Sequence, residues 1–212
     1  MKVKTITKEI YTFAELSESA QQTAIEHRME VENNMFDGEA VYENAAEVAS
    51  LFGLDIRVRT VQLNSGKSRH NDPAIYYSGF GSQGDGACFE GNYNYQKGAY
   101  DAVKSYAPQD EELHRIVKEL QTIQAKNFYQ LAATCKHSRQ YYHSGCMDVD
   151  VTRKDYKEMT EDAEETLTQL LRDFADYIYK QLEADYDYIT GKGVIEYLNE
   201  CYTDFDVNGE IA

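Results

Sequence analysis

Cys135, His137, His143 and Cys146 stand in a C-x-H-x5-H-x2-C arrangement whose residue types match four tetrahedral zinc ligands. Their expected placement works against that reading. Cys135 and His137 fall at the end of an expected helix, and His143 and Cys146 fall on an expected strand whose alternation aims them at opposite faces unless Gly145 inserts a bulge. No metal and no cofactor is expected. A second chemistry is that of a thiol nucleophile, with Cys88 or Cys146 served by His143 as base and Asp85 or Asp148 as the carboxylate behind it. Against it, a buried free cysteine ordinarily behaves as a small apolar residue. A third chemistry is ligand binding at the glycine-dense run 78–86. There Ser78, Gln83 and Asp85 suit an anion or small ligand, with Cys88, His143 and Cys146 completing a cleft. The plainer reading is a sharp connection between strands, with Ser78 and Asp85 capping the turn. Asn64-Ser65-Gly66-Lys67-Ser68 ends like a phosphate-binding loop, but Val61 stands where the leading glycine is required and no helix follows. It reads as a turn which, with Arg57, Arg59 and Arg69, makes the one local positive patch.

Charge is the stronger signal. The chain carries 21 Lys and Arg against 37 Asp and Glu, a formal net charge of −16. Ten of the carboxylates fall between Glu158 and Asp187 against only Arg172 and Lys180, so half the surplus sits on one expected helix. Over the roughly 45 Å that thirty helical residues span, this is about one net charge per 6 Å, against one per roughly 1.7 Å along duplex DNA. That helix alone is a poor copy of a nucleic acid. It serves either as a solvated face that keeps the protein soluble or as a docking surface for a basic partner, on which Glu161, Asp162, Glu165, Asp173 and Asp176 would steer association. The 18 tyrosines, with no tryptophan, add candidate anchors. Tyr76, Tyr77, Tyr93, Tyr95, Tyr141 and Tyr142 are expected on a cross-strand face that is half-buried or meets a partner, and sheet packing is the plainer half.

The elements that must position these residues read as α+β, long amphipathic helices on a small, mostly antiparallel sheet in a single domain over residues 1–212. An opening segment with Val3, Ile6, Ile10 and Phe13 enters a sheet edge. Ser17 caps a helix to about Asn33, and a second helix from Gly38 ends at Gly53. Leu54 to Leu63 reads as strand, Asn64 to Pro73 as a polar loop, and Ala74–Tyr77 and Cys88–Tyr95 as strands around the glycine run. Leu113, Ile116, Val117, Leu120, Ile123 and Leu131 keep helical spacing after Pro108. Arg139 to Val151 reads as a bent strand, and a last helix runs from about Glu158 to Tyr188. Asn208-Gly209 signals a closing hairpin.

Function classes narrow accordingly. Hydrophobic residues make up 42% of the chain, too many for a disordered tail, and charge interrupts every apolar run before it could span a bilayer. The basic, β-branched opening lacks the apolar core of a secretory signal, and four cysteines are too few for a disulfide scaffold, so a cytoplasmic location is expected. The acidic surplus disfavours direct nucleic-acid or membrane contact and favours a protein partner with a basic surface.

Three strings belong together: Phe13-Ala14-Glu15-Leu16-Ser17 before an alanine-rich helix, Tyr77-Ser78-Gly79-Phe80-Gly81-Ser82-Gln83-Gly84-Asp85-Gly86-Ala87-Cys88-Phe89-Glu90-Gly91, and Tyr142-His143-Ser144-Gly145-Cys146-Met147. In them the chain resembles, from about Tyr11 through the last helix, a family of phage and prophage proteins of largely unknown activity, some of whose members are labelled antitoxins of a toxin–antitoxin stability system. The resemblance implies a mobile-element accessory protein and transfers no catalytic residue. The function expected is binding: an antitoxin or anti-defence inhibitor that neutralises a basic, nucleic-acid-handling target, a toxin or a host defence component. The alternative is an enzyme or small-ligand binder built on the loop 78–91 with His143 and Cys146.

Overall fold

The computed structural model describes residues 8–62, 66, 68–138, 140–201 and 203–212. Val3 and Ile6 of the expected opening strand lie outside them, as do Leu63, Asn64, Ser65 and Lys67 around the expected Gly66 turn. Contacts gather the chain into a larger unit, Gly38–Leu182, and a smaller one drawn from both sides of it, through Asp37 and from Glu183. The fold is α+β.

In the larger unit, α2 (Glu39–Leu51) buries Tyr42, Ala45, Val48 and Ala49 and stops at Gly53, whose φ of +87° suits a residue without a Cβ. The strands β1 (Leu54–Ile56), β6 (Gly91–Asn94), β7 (Leu131–His137) and β8 (Met147–Arg153) form one antiparallel sheet in the order β1-β6-β7-β8. Alternation sends Leu54, Ile56, Tyr93, Leu131, Ala133, Cys135, Met147 and Val151 to its buried side. Two short hairpins flank it: β2 (Val58–Gln62) with β3 (Ser68–Pro73), and β4 (Ile75–Ser78) with β5 (Gly86–Phe89). The β2–β3 hairpin replaces the expected polar loop. Three polar contacts cross it, Thr60 with His70, Gln62 with Ser68 and Arg59 with the buried Asp72, which hydrophobic alternation cannot reveal.

Helix α3 (Ala99–Tyr106), which no sequence signal announced, precedes α4 (Glu111–Lys126), capped by Asp110 through the Leu113 N–H at 2.9 Å. Helix α4 buries its expected stripe but ends before Leu131, which opens β7. Buried Gln124 holds that junction, donating to the Leu131 carbonyl at 2.8 Å and accepting its N–H at 3.1 Å. Cys135 and His137 therefore lie on a strand, and His143 and Cys146 flank a tight turn at Ser144–Cys146. The last long helix, α5 (Ala163–Ile189), starts five residues later than expected, so Glu158, Glu161 and Asp162 precede it. Its Phe174 meets the rings of Phe52 and Phe89 edge-on at 5.0 and 5.9 Å, at the centre of the core.

The smaller unit contains α1 (Glu18–Met35), capped by Ser17 as expected, the last turns of α5, and α6 (Lys192–Glu200). Phe13, Leu16, Ala20 and Ala24 pack against Val194, Leu198 and Phe205. The closing residues make bridges Tyr11 to Phe205 and Phe205 to Ile211 around a turn at Gly209.

Candidate functional site

The glycine run forms the β4–β5 connection. Gly79, Gly81 and Gly84 hold φ of +38°, +115° and +96°, so the composition follows from backbone conformation. Asp85 closes the turn by accepting the Ser82 N–H at 2.6 Å. Phe80 stacks between Tyr77 and Tyr179, and the Tyr179 hydroxyl donates to the Gly79 carbonyl at 3.2 Å, which ties the loop to α5. Gln83 points into solvent.

This loop meets the turn that carries His143 and Cys146. Ser78 donates to the Tyr142 carbonyl at 3.4 Å, and a Cβ on Gly86 would lie 2.5 Å from the His143 Cβ. Ser78, Gly86, His143 and Cys146 thus come together, and Tyr76 stacks on Tyr142 at 5.5 Å beneath Arg59. The chemistry is less favourable than the proximity. His143 Nε2 lies 3.1 Å from the Cys146 Sγ, and its Nδ1 accepts the Gly145 N–H at 3.1 Å. Those bonds assign the ring proton of the neutral imidazole to Nε2, the atom that a general base would need bare. Cys146 is buried, and burial, with Cys146 and Glu90 adding, pushes the Cys88 thiol up to about 12. Asp85, spent on its own turn, is not behind His143. The carboxylate that interacts with His143 is Asp176 of α5, which also bonds Ser144. The four residues of the zinc spacing do not gather. His137 turns to the Tyr141 carbonyl at 3.1 Å, Cys135 lies in the sheet core, and among the described residues no three His, Cys, Asp or Glu are placed to hold a metal ion.

The acidic helix also differs from its expected form. Asp173 pairs with Arg115 at 2.7 Å and Asp162 with Lys126 at 2.8 Å. The Lys126 hydrogen bond, with Thr160 behind it, holds the Asp162 carboxyl below its usual range. Burial raises the Asp176 carboxyl above its usual range, and the Asp173 charge adds repulsion. Three of the five expected steering residues are therefore engaged within the protein, which corrects the picture of one continuous ridge. Tyr76 and Tyr77 are half-buried in ring stacks, so they serve packing.

Exposed carboxylates remain where the chain approaches α5. Glu158, Glu161, Glu164 and Glu165 are exposed and have no ion pair among the described residues. Beside them lies a feature the sequence reading missed. Phe128, Tyr129 and Tyr156 have φ of +56°, +60° and +57°, in the left-handed region that bulky side chains avoid, and they are 72%, 47% and 98% exposed. Each such residue costs about 1–2 kcal/mol of backbone energy.

Two connections, α4 to β7 and β8 to α5, carry these rings and are clamped to each other. Asn127, fully buried, donates to the Ile123 carbonyl and the Thr160 hydroxyl and accepts the Thr160 N–H, all near 3.0 Å. The Lys154 N–H reaches the Gln130 carbonyl at 2.9 Å. Arg153 lies 5.5 Å over the Phe128 ring, pairs with Asp155 at 2.7 Å and donates to the Glu158 carbonyl at 2.7 Å. The missed signal was the absence of any glycine after the Lys126 turn, where a helix end ordinarily recruits one. Leu131, falling in helical register, hid the break.

A family model described as Domain of unknown function (DUF8835) matches residues 38–192, nearly the span of the larger unit. No curated protein and no solved structure matches the chain.

Proposed function

The chain belongs to the DUF8835 family, a domain of unknown function, and from that premise we propose that it works by binding, as an antitoxin or anti-defence inhibitor that covers a basic surface on a nucleic-acid-handling protein. The observation that carries this reading is the cluster of exposed, unpaired carboxylates at Glu158, Glu161, Glu164 and Glu165, on a segment held in place through Asn127 and Arg153. Lys126, Arg115 and Lys180 are drawn into pairs with Asp162, Asp173 and Glu112, so these three cations are engaged away from the four glutamates. Long-range attraction of this kind accelerates encounter with a basic surface and fades with salt.

The test is retention of a partner from an extract of the cells that carry the protein. A basic protein should be held at low ionic strength, released as salt rises, and lost from a variant with the four glutamates changed to glutamine. Retention indifferent to salt and to those substitutions would remove the reading.

A further inference from the structure

We infer that the outer edge of β8 is a docking strand: an extended segment of the partner pairs antiparallel along Val149 and Val151 and sets lysine or arginine side chains against Asp148 and Asp150. The inference rests on the charge-based binding reading and names the part of the basic partner that is taken.

The register fixes which backbone groups are at stake. Strand β8 pairs with β7 from Arg153 opposite Leu131 to Met147 opposite His137, and among the described residues no strand pairs with its other side. The Lys154 N–H meets the Gln130 carbonyl at 2.9 Å and the Ser138 N–H meets the Cys146 carbonyl at 3.3 Å, so the even-numbered residues of β8 turn their N–H and C=O groups to β7. Odd-numbered residues turn theirs away. At the two ends those groups are occupied: the Met147 N–H bonds the Ser144 carbonyl, the Met147 carbonyl accepts from Arg172 at 3.0 Å, and the Arg153 carbonyl accepts the Tyr156 N–H at 3.0 Å. Between them, the N–H and C=O groups of Val149 and Val151 have no partner among the described residues. Donors and acceptors at alternate positions are the complement of another extended chain. The opposite edge, β1, has three residues, a length that itself protects an edge.

The side chains around that window select the segment. Asp148, Asp150 and Thr152 are exposed on one face of the sheet, and neither aspartate has an ion pair among the described residues, although Lys136 lies opposite Asp148 on β7. Toward an incoming antiparallel strand both aspartates hold the non-hydrogen-bonded positions, where facing residues come closest, roughly 4.5 Å between Cα atoms. Basic side chains are attracted there. Val149, half-buried, and Val151, buried, lie on the other face and favour apolar residues at the alternate positions of the segment. Pairing of two copies of β8 centred on Val149 or Asp150 would set aspartate against aspartate, so charge favours a basic segment over a second copy.

The probe is a fluorescent peptide of alternating lysine and valine, compared with the same peptide N-methylated at its valines, whose N–H groups would face β8. In anisotropy at low ionic strength the unmethylated peptide should bind about tenfold tighter, as the loss of two hydrogen bonds implies. It should also slow exchange of the Val149 and Val151 amide hydrogens about tenfold. Val149→Pro should bring the two peptides level and keep the fold, since the N–H it removes lies outside the β7–β8 ladder. The methylated peptide keeps the test decisive should that variant fail to fold. Asp148→Asn combined with Asp150→Asn should weaken the unmethylated peptide. Equal binding of both peptides by the unmodified protein, or binding of neither, overturns the docking strand. If that equal binding fades with salt and is lost when the four glutamates become glutamine, the charge reading stands without it. Methylation-sensitive binding that survives those glutamine substitutions keeps the docking strand and removes the glutamate cluster as its partner site. A dimer in light scattering that Val149→Pro splits would make the occupant a second copy and overturn the basic segment.

Discussion

The β4–β5 connection and the α4–β7 connection both force the backbone into the left-handed region, and they fill it differently. In the first, glycines occupy the demanding positions, Phe80 is sandwiched between rings, and Asp85 closes the turn on itself. In the second, Phe128 and Tyr129 take the same backbone conformation, one ring under the Arg153 guanidinium and the other against Tyr95 at 4.5 Å, and both stay partly open to solvent. A loop whose residues agree with its backbone is accounted for by folding, however unusual its composition. A loop whose residues disagree with its backbone must be held by its contacts, here Arg153 over Phe128 and Tyr95 against Tyr129. The most distinctive string in the sequence thus marks a structural joint, and an unremarked Phe-Tyr pair holds a second one.

Substitutions can break or sharpen that contrast. Gly86→Ala should cost the most, about 2–3 kcal/mol in urea unfolding, because the added Cβ would meet the His143 Cβ and Cα at 2.5 and 2.9 Å. A loss below about 1 kcal/mol would show that the joint gives way easily. Asn127→Ala should cost about 1–3 kcal/mol, since it strips the Thr160 N–H of its acceptor, and it should weaken partner binding by freeing the aromatic connections. Unchanged binding would mean that the clamp does not organise the surface.

The smallest effects are in acid titration, where the two ends should move in opposite senses. Asp162 at the aromatic end has a lowered folded pKa, so its contribution is present above the unfolded value and lost as pH falls through the folded one. Asp176 at the glycine end has a raised folded pKa. Its stabilising protonation is complete below the unfolded value and disappears as pH rises through the folded one. Asp162→Asn should therefore lower the melting temperature at neutral pH and Asp176→Asn raise it, with both differences vanishing in acid. Shifts of the same sign would show that the two carboxylates share one environment.

Most of the fold was legible where a single periodicity ran unbroken. The stripe from Leu113 to Ile123 placed α4, and Leu167 to Leu182 placed the buried side of α5. Legibility failed where the deciding contacts were polar or distant in sequence. Leu131 continued the helical spacing, and only the Gln124 bonds show why the chain leaves the helix before it. The strand Ser68–Pro73 is written in Ser, Arg, His, Asn and Asp, and its pairing depends on Arg59 and Gln62 across the hairpin. Of the candidate site, Glu161 and Glu165 were visible as surplus charge. The withdrawal of Asp162 and Asp173 was not, because Lys126 and Arg115 belong to another helix. Backbone sign at Phe128, Tyr129 and Tyr156 has no composition signature at all.

The smaller unit joins segments separated by the whole of the larger one. As the ribosome emits the chain, Ala20 and Ala24 of α1 emerge before Gly38–Leu182, and the residues that cover them, Val194, Leu198 and Phe205, emerge after it. Until then that helix holds an uncovered apolar stripe during synthesis, while Gly38–Leu182 already has every residue of its own core. The order of synthesis therefore makes the core of Gly38–Leu182 available whole before that of the two-ended unit is complete.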